Sequence, residues 1–141
     1  QVSYEAQAAI ELETLSRPEL PFAKPYPFNL DAADGKFIIR LADLLTAVID
    51  DVRKSMSPGL IGARFHLTMA DMAQTTCRKA REQTGITEVA LSGGVWQNQI
   101  LLDRVRGALE QDGCTVYFHQ QTPTNDGGLA LGQAVIANFQ A

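Results

Sequence analysis

The stretch that decides the fold of this chain reads Glu88-Val89-Ala90-Leu91-Ser92-Gly93-Gly94-Val95-Trp96-Gln97-Asn98. An apolar run of strand character ends at two adjacent glycines, and helix-forming sequence follows to Gln111. Glycines at such a junction allow backbone angles and close approaches that a Cβ would prevent. The following helix offers free N–H groups and a positive dipole end, which suit a nucleotide phosphate. The motif is neither a P-loop nor G-x-G-x-x-G, and a tight turn that serves only packing is the alternative.

A second strand-to-helix junction follows the first. Gly113 ends the helix, a strand is predicted over Cys114 to His119, and Pro123-Thr124-Asn125-Asp126-Gly127-Gly128 leads into a helix from Leu129 to Asn138. A strand–helix–strand unit of this length has parallel strands, and ligands bind beyond the carboxyl ends of such strands. Two Gly-Gly turns are therefore expected to face one crevice, which favours the phosphate-binding interpretation.

Asp126 is the carboxylate of this crevice. It could cap the helix that follows, because Asp before a helix accepts hydrogen bonds from free N–H groups. It could also bind a metal that accompanies nucleotide phosphates, because carboxylate oxygens suit hard or borderline cations. The spacing alone favours the cap, since the chain has no His-x-x-x-His pair and no second carboxylate close by.

The first half of the chain is predicted to be mainly helical. Proline-rich residues 18–27 connect a first helix over 6–15 to two short strands, 28–30 and 36–40, joined by a loop over 31–35. A helix from Leu41 to Arg53 is expected to bury Leu41, Leu44, Leu45, Val48, Ile49 and Val52 and to expose its acidic residues. Ser57-Pro58 begins a long helix that ends at Gly85 and is apolar over so broad an arc that it should be covered on several sides.

Composition narrows the functional classes. The chain has 141 residues, a net charge of −4 and two cysteines without C-x-x-C spacing. This length predicts one domain, and the acidic balance argues against a nucleic-acid or anionic-membrane partner. No apolar run is long enough to span a membrane and no signal peptide is evident, so the cytoplasm is expected, with Cys77 and Cys114 as core residues.

The two glycine motifs, in this order and spacing, closely resemble the carboxy-terminal end of the HypF carbamoyltransferase family. Ser92 to Asn98 and Pro123 to Gln133 carry the resemblance, and Phe65-His66 also fits. Residues 2–9 are similar to the family's Ser-Tyr-Glu-Gly-Gln-Ala-Ala segment, with Ala6 where the family has glycine. The resemblance covers essentially the whole chain.

This resemblance implies one lobe of an actin/Hsp70-like, ribonuclease-H-type α/β fold. It implies a carbamoyltransferase that uses carbamoyl phosphate and ATP, passes through carbamoyl-adenylate, and carbamoylates the terminal cysteine of the partner protein HypE during maturation of nickel–iron hydrogenases. By position, Gly93, Gly94 and Gly127 would hold the nucleotide phosphates, and Asn98 would contact the nucleoside. Asp126 would bind a divalent metal (iron, zinc or magnesium), and Ala6 would approach the nucleotide less closely than glycine.

The resemblance also implies that residues 1–141 are the last lobe of a longer protein. The family's His-x-x-x-His metal pair would then lie before Gln1, and the isolated lobe would have little turnover. Its exposed inner face could make it self-associate. An antibiotic O-carbamoyltransferase, a tRNA threonylcarbamoyltransferase relative, and a non-catalytic nucleotide-binding scaffold remain the alternatives.

Overall fold

A computed structural model describes residues 3–33 and 35–140 of the chain. Its helices and strands follow one another as α1 (Gln7–Ser16), β1 (Asn29–Ala33), β2 (Lys36–Arg40), α2 (Ala42–Arg53), α3 (Pro58–Thr84), β3 (Glu88–Leu91), α4 (Gln99–Gln111), β4 (Thr115–Phe118) and α5 (Leu129–Gln140). Short 3-10 turns cover Arg17–Glu19, Gly94–Gln97 and Asp126–Gly128. This arrangement confirms the predicted hairpin followed by a strand–helix–strand unit.

Strands β1 and β2 form the predicted antiparallel hairpin, but its loop is shorter than expected. Asp31 pairs with Ile38 and Ala33 with Lys36, so most of the predicted loop is strand. Gly35, at φ +70°, supplies the left-handed conformation that such a tight turn requires. Asp34, the other residue of the predicted Asp-Gly pair, lies outside the described residues.

The long helix α3 is the element on which the other helices pack, as its broad apolar arc predicts. Its N-terminus is capped by Ser57, whose Oγ accepts a hydrogen bond from the Leu60 amide, and Gly85 at φ +73° ends it. Helices α1, α2 and α4 all contact it. The α1 contact is close, since a Cβ at Gly59 would lie 2.5 Å from the Leu15 carbonyl oxygen. The absence of a side chain at Gly59 allows α1 to pack closely on α3.

Helix α2 buries only part of its predicted core face, since Leu44 lies in a core cluster and Val48 packs against that cluster. Asp51, expected on the solvent face, is buried. It accepts a hydrogen bond of 2.7 Å from the Tyr26 hydroxyl and forms an ion pair with Arg64. Burial and the hydrogen bond to Asp51 raise the pKa of Tyr26. Much of the expected core face is instead exposed, namely Leu41, Leu45, Ile49 and Val52. Helical periodicity places Asp51 on the solvent face because the pattern cannot show that a charged residue has a buried partner.

The strand–helix–strand unit has the predicted parallel pairing, with Glu88 opposite Thr115 and Leu91 opposite Phe118. The main core cluster lies between this unit and α3, and it consists of Ala70, Leu91, Val105, Leu109 and Cys114. Cys77 packs against it, so both cysteines are core residues as expected. Helix α4 follows a 3-10 turn over Gly94–Gln97 and ends at Gln111, as predicted.

Two apolar surfaces are left open to solvent. One is the exposed α2 stripe named above, and the other is α5, where Leu129, Leu131, Val135, Ile136 and Phe139 are exposed. These surfaces support the expectation of self-association, which stays a prediction. Within the described residues, no helix combines the length and the apolar character that crossing a membrane would take.

Candidate functional site

The two Gly-Gly turns meet directly, as the parallel strands predict. The Gly93 amide donates a hydrogen bond of 3.0 Å to the Thr124 carbonyl oxygen. In return, the Thr124 hydroxyl donates one of 2.9 Å to the Gly93 carbonyl oxygen. This reciprocal pair fastens the loop before α5 to the turn after β3 and fixes the shape of the crevice between them.

On one side of the Gly93–Gly94 turn lies the strand-end cavity, of about 350 Å³. Ser92, Gly93, Asp126, Gly132 and Gln133 are among the residues that line it. The His119 ring stands at its wall, with Nε2 3.3 Å from the Ser92 hydroxyl oxygen and Nδ1 3.1 Å from that of Thr122. Its volume is in the range of small-molecule sites.

On the other side lies a smaller cavity of about 160 Å³, the helix-side cavity. Gly94 and Asn98 line it together with Ala6, Ile10 and Glu13 of the α1 segment. The site residues named from the sequence are therefore divided. Gly93 and Asp126 face the strand-end cavity, and Gly94 and Asn98 face the helix-side cavity.

The expectation of free backbone amides at these turns is wrong in part. The Gly93 amide is bonded to Thr124, and the Gly127 amide donates to the Asn125 side-chain oxygen at 3.1 Å. What Gly93 provides is open space, since nothing lies within 4 Å of the position of a Cβ there, at φ +105°.

The N-terminus of α4 is also not free for an anion, contrary to the prediction. The Asn98 Oδ1 accepts a hydrogen bond of 3.0 Å from the Leu101 amide, which makes Asn98 the N-cap. The Glu13 carboxylate, reaching across from α1, accepts hydrogen bonds from the amides of Gln99 at 3.0 Å and Ile100 at 3.4 Å. A carboxylate thus already occupies the position where the helix dipole attracts negative charge.

Asp126 is not the helix cap that its spacing favours. Asp126 is the first residue of the 3-10 turn before α5, and Asn125 caps this turn with an extended backbone and a side chain that accepts from the Gly127 amide. Asp126 instead lines the strand-end cavity. Across residues 3–33 and 35–140, no three His, Cys, Asp or Glu side chains come together as a metal site would need. Metal binding by Asp126 therefore stays a prediction that needs donors from elsewhere.

Sequence reasoning missed two residues that shape the site. Glu13 reads as a surface acid of α1, and His66 reads as an isolated histidine of α3. His66 is 4% exposed, and its Nε2 lies 2.9 Å from the Asn98 side-chain nitrogen. Neither contact has a local signal, because they join residues 86 and 32 positions apart.

The fold and this crevice define an α/β lobe with a ligand-sized cavity at the carboxyl ends of two parallel strands. Residues 1–133 match the family described as "Carbamoyltransferase, Kae1-like Domain, second subdomain". The chain belongs to the HypF carbamoyltransferase family. Its fold is accordingly one lobe of the actin/Hsp70-like, ribonuclease-H-type architecture, as the resemblance implies.

Relatives and solved structures agree with this assignment. The chain is 33% identical over its whole length to the carbamoyltransferase HypF of Synechocystis, of which it covers 17%. It is similar to a crystal structure described as full-length HypF in the phosphate- and nucleotide-bound form, with 37% identity, a TM-score of 0.88, and coverage of 98% of this chain and 18% of that one. For the crystal structure of T.kodakarensis HypF the identity is 25% and the TM-score 0.72, with coverage of 97% of this chain and 17% of that one.

More distant similarity extends to another carbamoyl-transferring family. The tRNA N6-adenosine threonylcarbamoyltransferase of Moorella thermoacetica is 26% identical over 135 residues, or 92% of this chain and 39% of that protein. The chain spans about a sixth of the length of the HypF relatives from Synechocystis and Rhodobacter capsulatus.

Proposed function

We propose that this chain is the nucleotide-facing last lobe of a HypF-type carbamoyltransferase. In that enzyme carbamoyl phosphate is hydrolysed to carbamate and phosphate, and carbamate reacts with ATP to give carbamoyl-adenylate and pyrophosphate. The carbamoyl group then passes to the carboxy-terminal cysteine thiol of HypE, with release of AMP. The product serves cyanide-ligand synthesis in nickel–iron hydrogenase maturation, in the cytoplasm. The observation that carries this proposal is the fastening of both Gly-Gly turns around one crevice in a member of the HypF family.

The division of the crevice supports separate places for the two ends of a nucleotide. Phosphates belong in the strand-end cavity, where Gly93 leaves open space and Asp126 faces the same volume. The nucleoside belongs in the helix-side cavity, beside Gly94 and Asn98, because the α4 amides that could hold a phosphate there are already bonded to Glu13. Gly127 contributes through the shape of its turn, since its amide is already bonded to Asn125.

A divalent metal fits this scheme only if Asp126 is one of several residues that bind it. Asp126 supplies one carboxylate, and its chemistry suits iron, zinc or magnesium when other donors complete the set. Among residues 3–33 and 35–140 no three His, Cys, Asp or Glu side chains come together, so we propose that the other donors come from the rest of the full-length protein. When bound, such a metal would supply positive charge against the phosphates.

Similarity to the tRNA threonylcarbamoyltransferases supports one second candidate, the transfer of a threonylcarbamoyl group to tRNA. The lobe would bind the adenylate in the same crevice, and the acceptor would differ. An antibiotic O-carbamoyltransferase is the same kind of alternative, and a scaffold lobe would bind nucleotide without transfer. Transfer assays of the full-length protein with HypE, with tRNA and with an aminoglycoside separate these candidates.

The proposal is tested by Asp126→Ala in the full-length protein. We expect bound metal and carbamoyl transfer to HypE to fall together, with metal measured by elemental analysis. Asp103→Ala, which removes an exposed carboxylate on α4 that lines a different cavity, is the matched control and should leave both unchanged. Full metal occupancy with normal transfer in the Asp126 variant would contradict the assignment.

A further inference from the structure

Asn98 is held by hydrogen bonds at both ends of its side-chain amide. Its Oδ1 accepts from the Leu101 amide at 3.0 Å, and its Nδ2 lies 2.9 Å from the Nε2 of His66. A backbone amide can only donate, so the oxygen of Asn98 must face Leu101 and the nitrogen must face His66. The rotamer and the orientation of this amide are therefore both determined.

The proton on the His66 ring is determined by the same reasoning. Its Nδ1 lies 2.7 Å from the Gly62 carbonyl oxygen, which can only accept, so Nδ1 carries the proton. Its Nε2 faces the Asn98 amide nitrogen, which can only donate, so Nε2 is unprotonated. His66 is buried and neutral in this arrangement, with both ring nitrogens satisfied.

We propose that His66 is a positioning residue for the nucleotide site, acting through Asn98. By accepting one Nδ2 proton, it directs the amide so that the second Nδ2 proton remains for a ligand in the helix-side cavity, which Asn98 lines. The group recognised there is then a hydrogen-bond acceptor, such as a nucleoside hydroxyl or ring nitrogen. This inference rests on the proposed nucleotide function.

The close packing of α1 on α3 supports the role of His66 in orienting the Asn98 side-chain amide. Gly62, whose carbonyl holds Nδ1, sits directly against Ser16 and Leu12 of α1, where a Cβ would collide. The carbonyl that orients the ring is thus fixed by the same contact that brings α1 to the helix-side cavity. The His66 ring thus contacts Gly62 of α3 on one side and Asn98, the N-cap residue of α4, on the other.

The first test is the tautomer of His66 in the 141-residue chain. Nitrogen NMR of the imidazole should show a protonated Nδ1 and an unprotonated Nε2. In Asn98→Ser, which keeps an N-cap oxygen but removes the amide nitrogen, the Nε2 resonance should shift while α4 stays helical. A protonated Nε2 in the unmodified chain would overturn the proposal. An Nε2 resonance that does not shift in Asn98→Ser would overturn it as well.

The second test is nucleotide affinity in the full-length protein. His66→Leu should weaken ATP binding about tenfold, the equivalent of one neutral hydrogen bond, and His66→Gln, which restores an acceptor, should recover most of it. Thr68→Val is the matched control, because Thr68 is as buried on α3 but bonds Tyr26 and Arg64 rather than Asn98. It should lower the melting temperature without changing affinity.

Asn98→Ser separates the possible failures. If Asn98→Ser leaves ATP affinity unchanged, the nucleotide role of Asn98 fails and the positioning role of His66 fails with it. If Asn98→Ser weakens binding but folded His66→Leu does not, only the positioning role is wrong. In the double variant, the losses should not add, and full additivity would also count against the proposal.

Discussion

The Gly93–Gly94 turn and the Gly127–Gly128 turn meet across one crevice, and their glycines meet different physical needs. Gly93 sits at φ +105° with open space where a Cβ would be. Gly128 is in close contact, since a Cβ there would lie 2.5 Å from the Pro123 carbonyl oxygen. The first turn needs an unusual backbone and leaves room for a ligand, whereas the second needs a close approach of two backbone segments.

The helices that follow these turns differ in the same way. At α4 the first amides are satisfied by Asn98 and by Glu13 from another helix. Before α5, Asn125 caps the 3-10 turn Asp126–Gly128 locally, and a cavity remains open beside this turn. Two similar sequence motifs are thus closed in different ways, one by a carboxylate from another helix and one by a neighbouring side chain.

The largest effect is expected from Gly128→Ala. Overpacking against the Pro123 backbone should cost about 2 kcal/mol. Because α5 makes few contacts beyond its own N-terminal turn, we expect the loss to be local. Hydrogen exchange should show α5 and the Gly93 amide losing protection while α3 keeps it. Gly132→Ala, where the Cβ meets open space, is the control, and equal protection in both variants would contradict the account.

Gly93→Ala should come next, at about 1.5 kcal/mol, from the backbone conformation alone. Gly94→Ala is the internal control, because a Cβ there meets only an ordinary contact with Asn125 at 3.7 Å. Urea unfolding of the two variants measures the difference. This strain also means that Gly93→Val would test the fold and the ligand together, so it is a poor probe of binding. Equal stability of the two alanine variants would show that the Gly93 backbone conformation does not require glycine.

Glu13→Gln should destabilise the chain by about 1 kcal/mol, by removing negative charge from the N-terminus of α4. Glu11→Gln, an exposed position on the same helix, should change stability little. Thermal unfolding at low and high salt measures both variants. A loss at Glu13 no larger than at Glu11 would mean that the α4 terminus does not depend on α1.

The smallest effect is expected from Ala6→Gly, which should stabilise the chain by about 0.5 kcal/mol. Ala6 lines the helix-side cavity with φ +61°, a left-handed conformation that strains alanine and not glycine. The HypF-family segment that residues 2–9 resemble has glycine at this position. The backbone angle gives a reason for that glycine besides a close approach to the nucleotide. Ala8→Gly, inside α1, should instead destabilise the chain by about 1 kcal/mol, and a shift of the same sign in both would refute the strain.

The sequence predicts much of this fold because the signals are local. Ser57-Pro58 and Gly85 bound α3, and the two glycine pairs mark the strand ends. The burial of Asp51 on α2 was not predictable, because it depends on Tyr26 and Arg64, which lie elsewhere in the chain. For the same reason, the sequence indicates the crevice but not Glu13 and His66, whose roles arise only from tertiary contacts.

The most direct test of the central claim is to fill the strand-end cavity without straining the backbone. Gly132 lines it on α5, and nothing lies within 4 Å of a Cβ at that position. Gly107 on α4 is its match, equally open but facing a different cavity. Calorimetry of a non-hydrolysable ATP analogue with the full-length protein should show Gly132→Leu binding at least about tenfold more weakly, ~1.4 kcal/mol, and Gly107→Leu binding normally. Equal affinity in the two variants would show that the crevice between the glycine turns is not where the nucleotide binds.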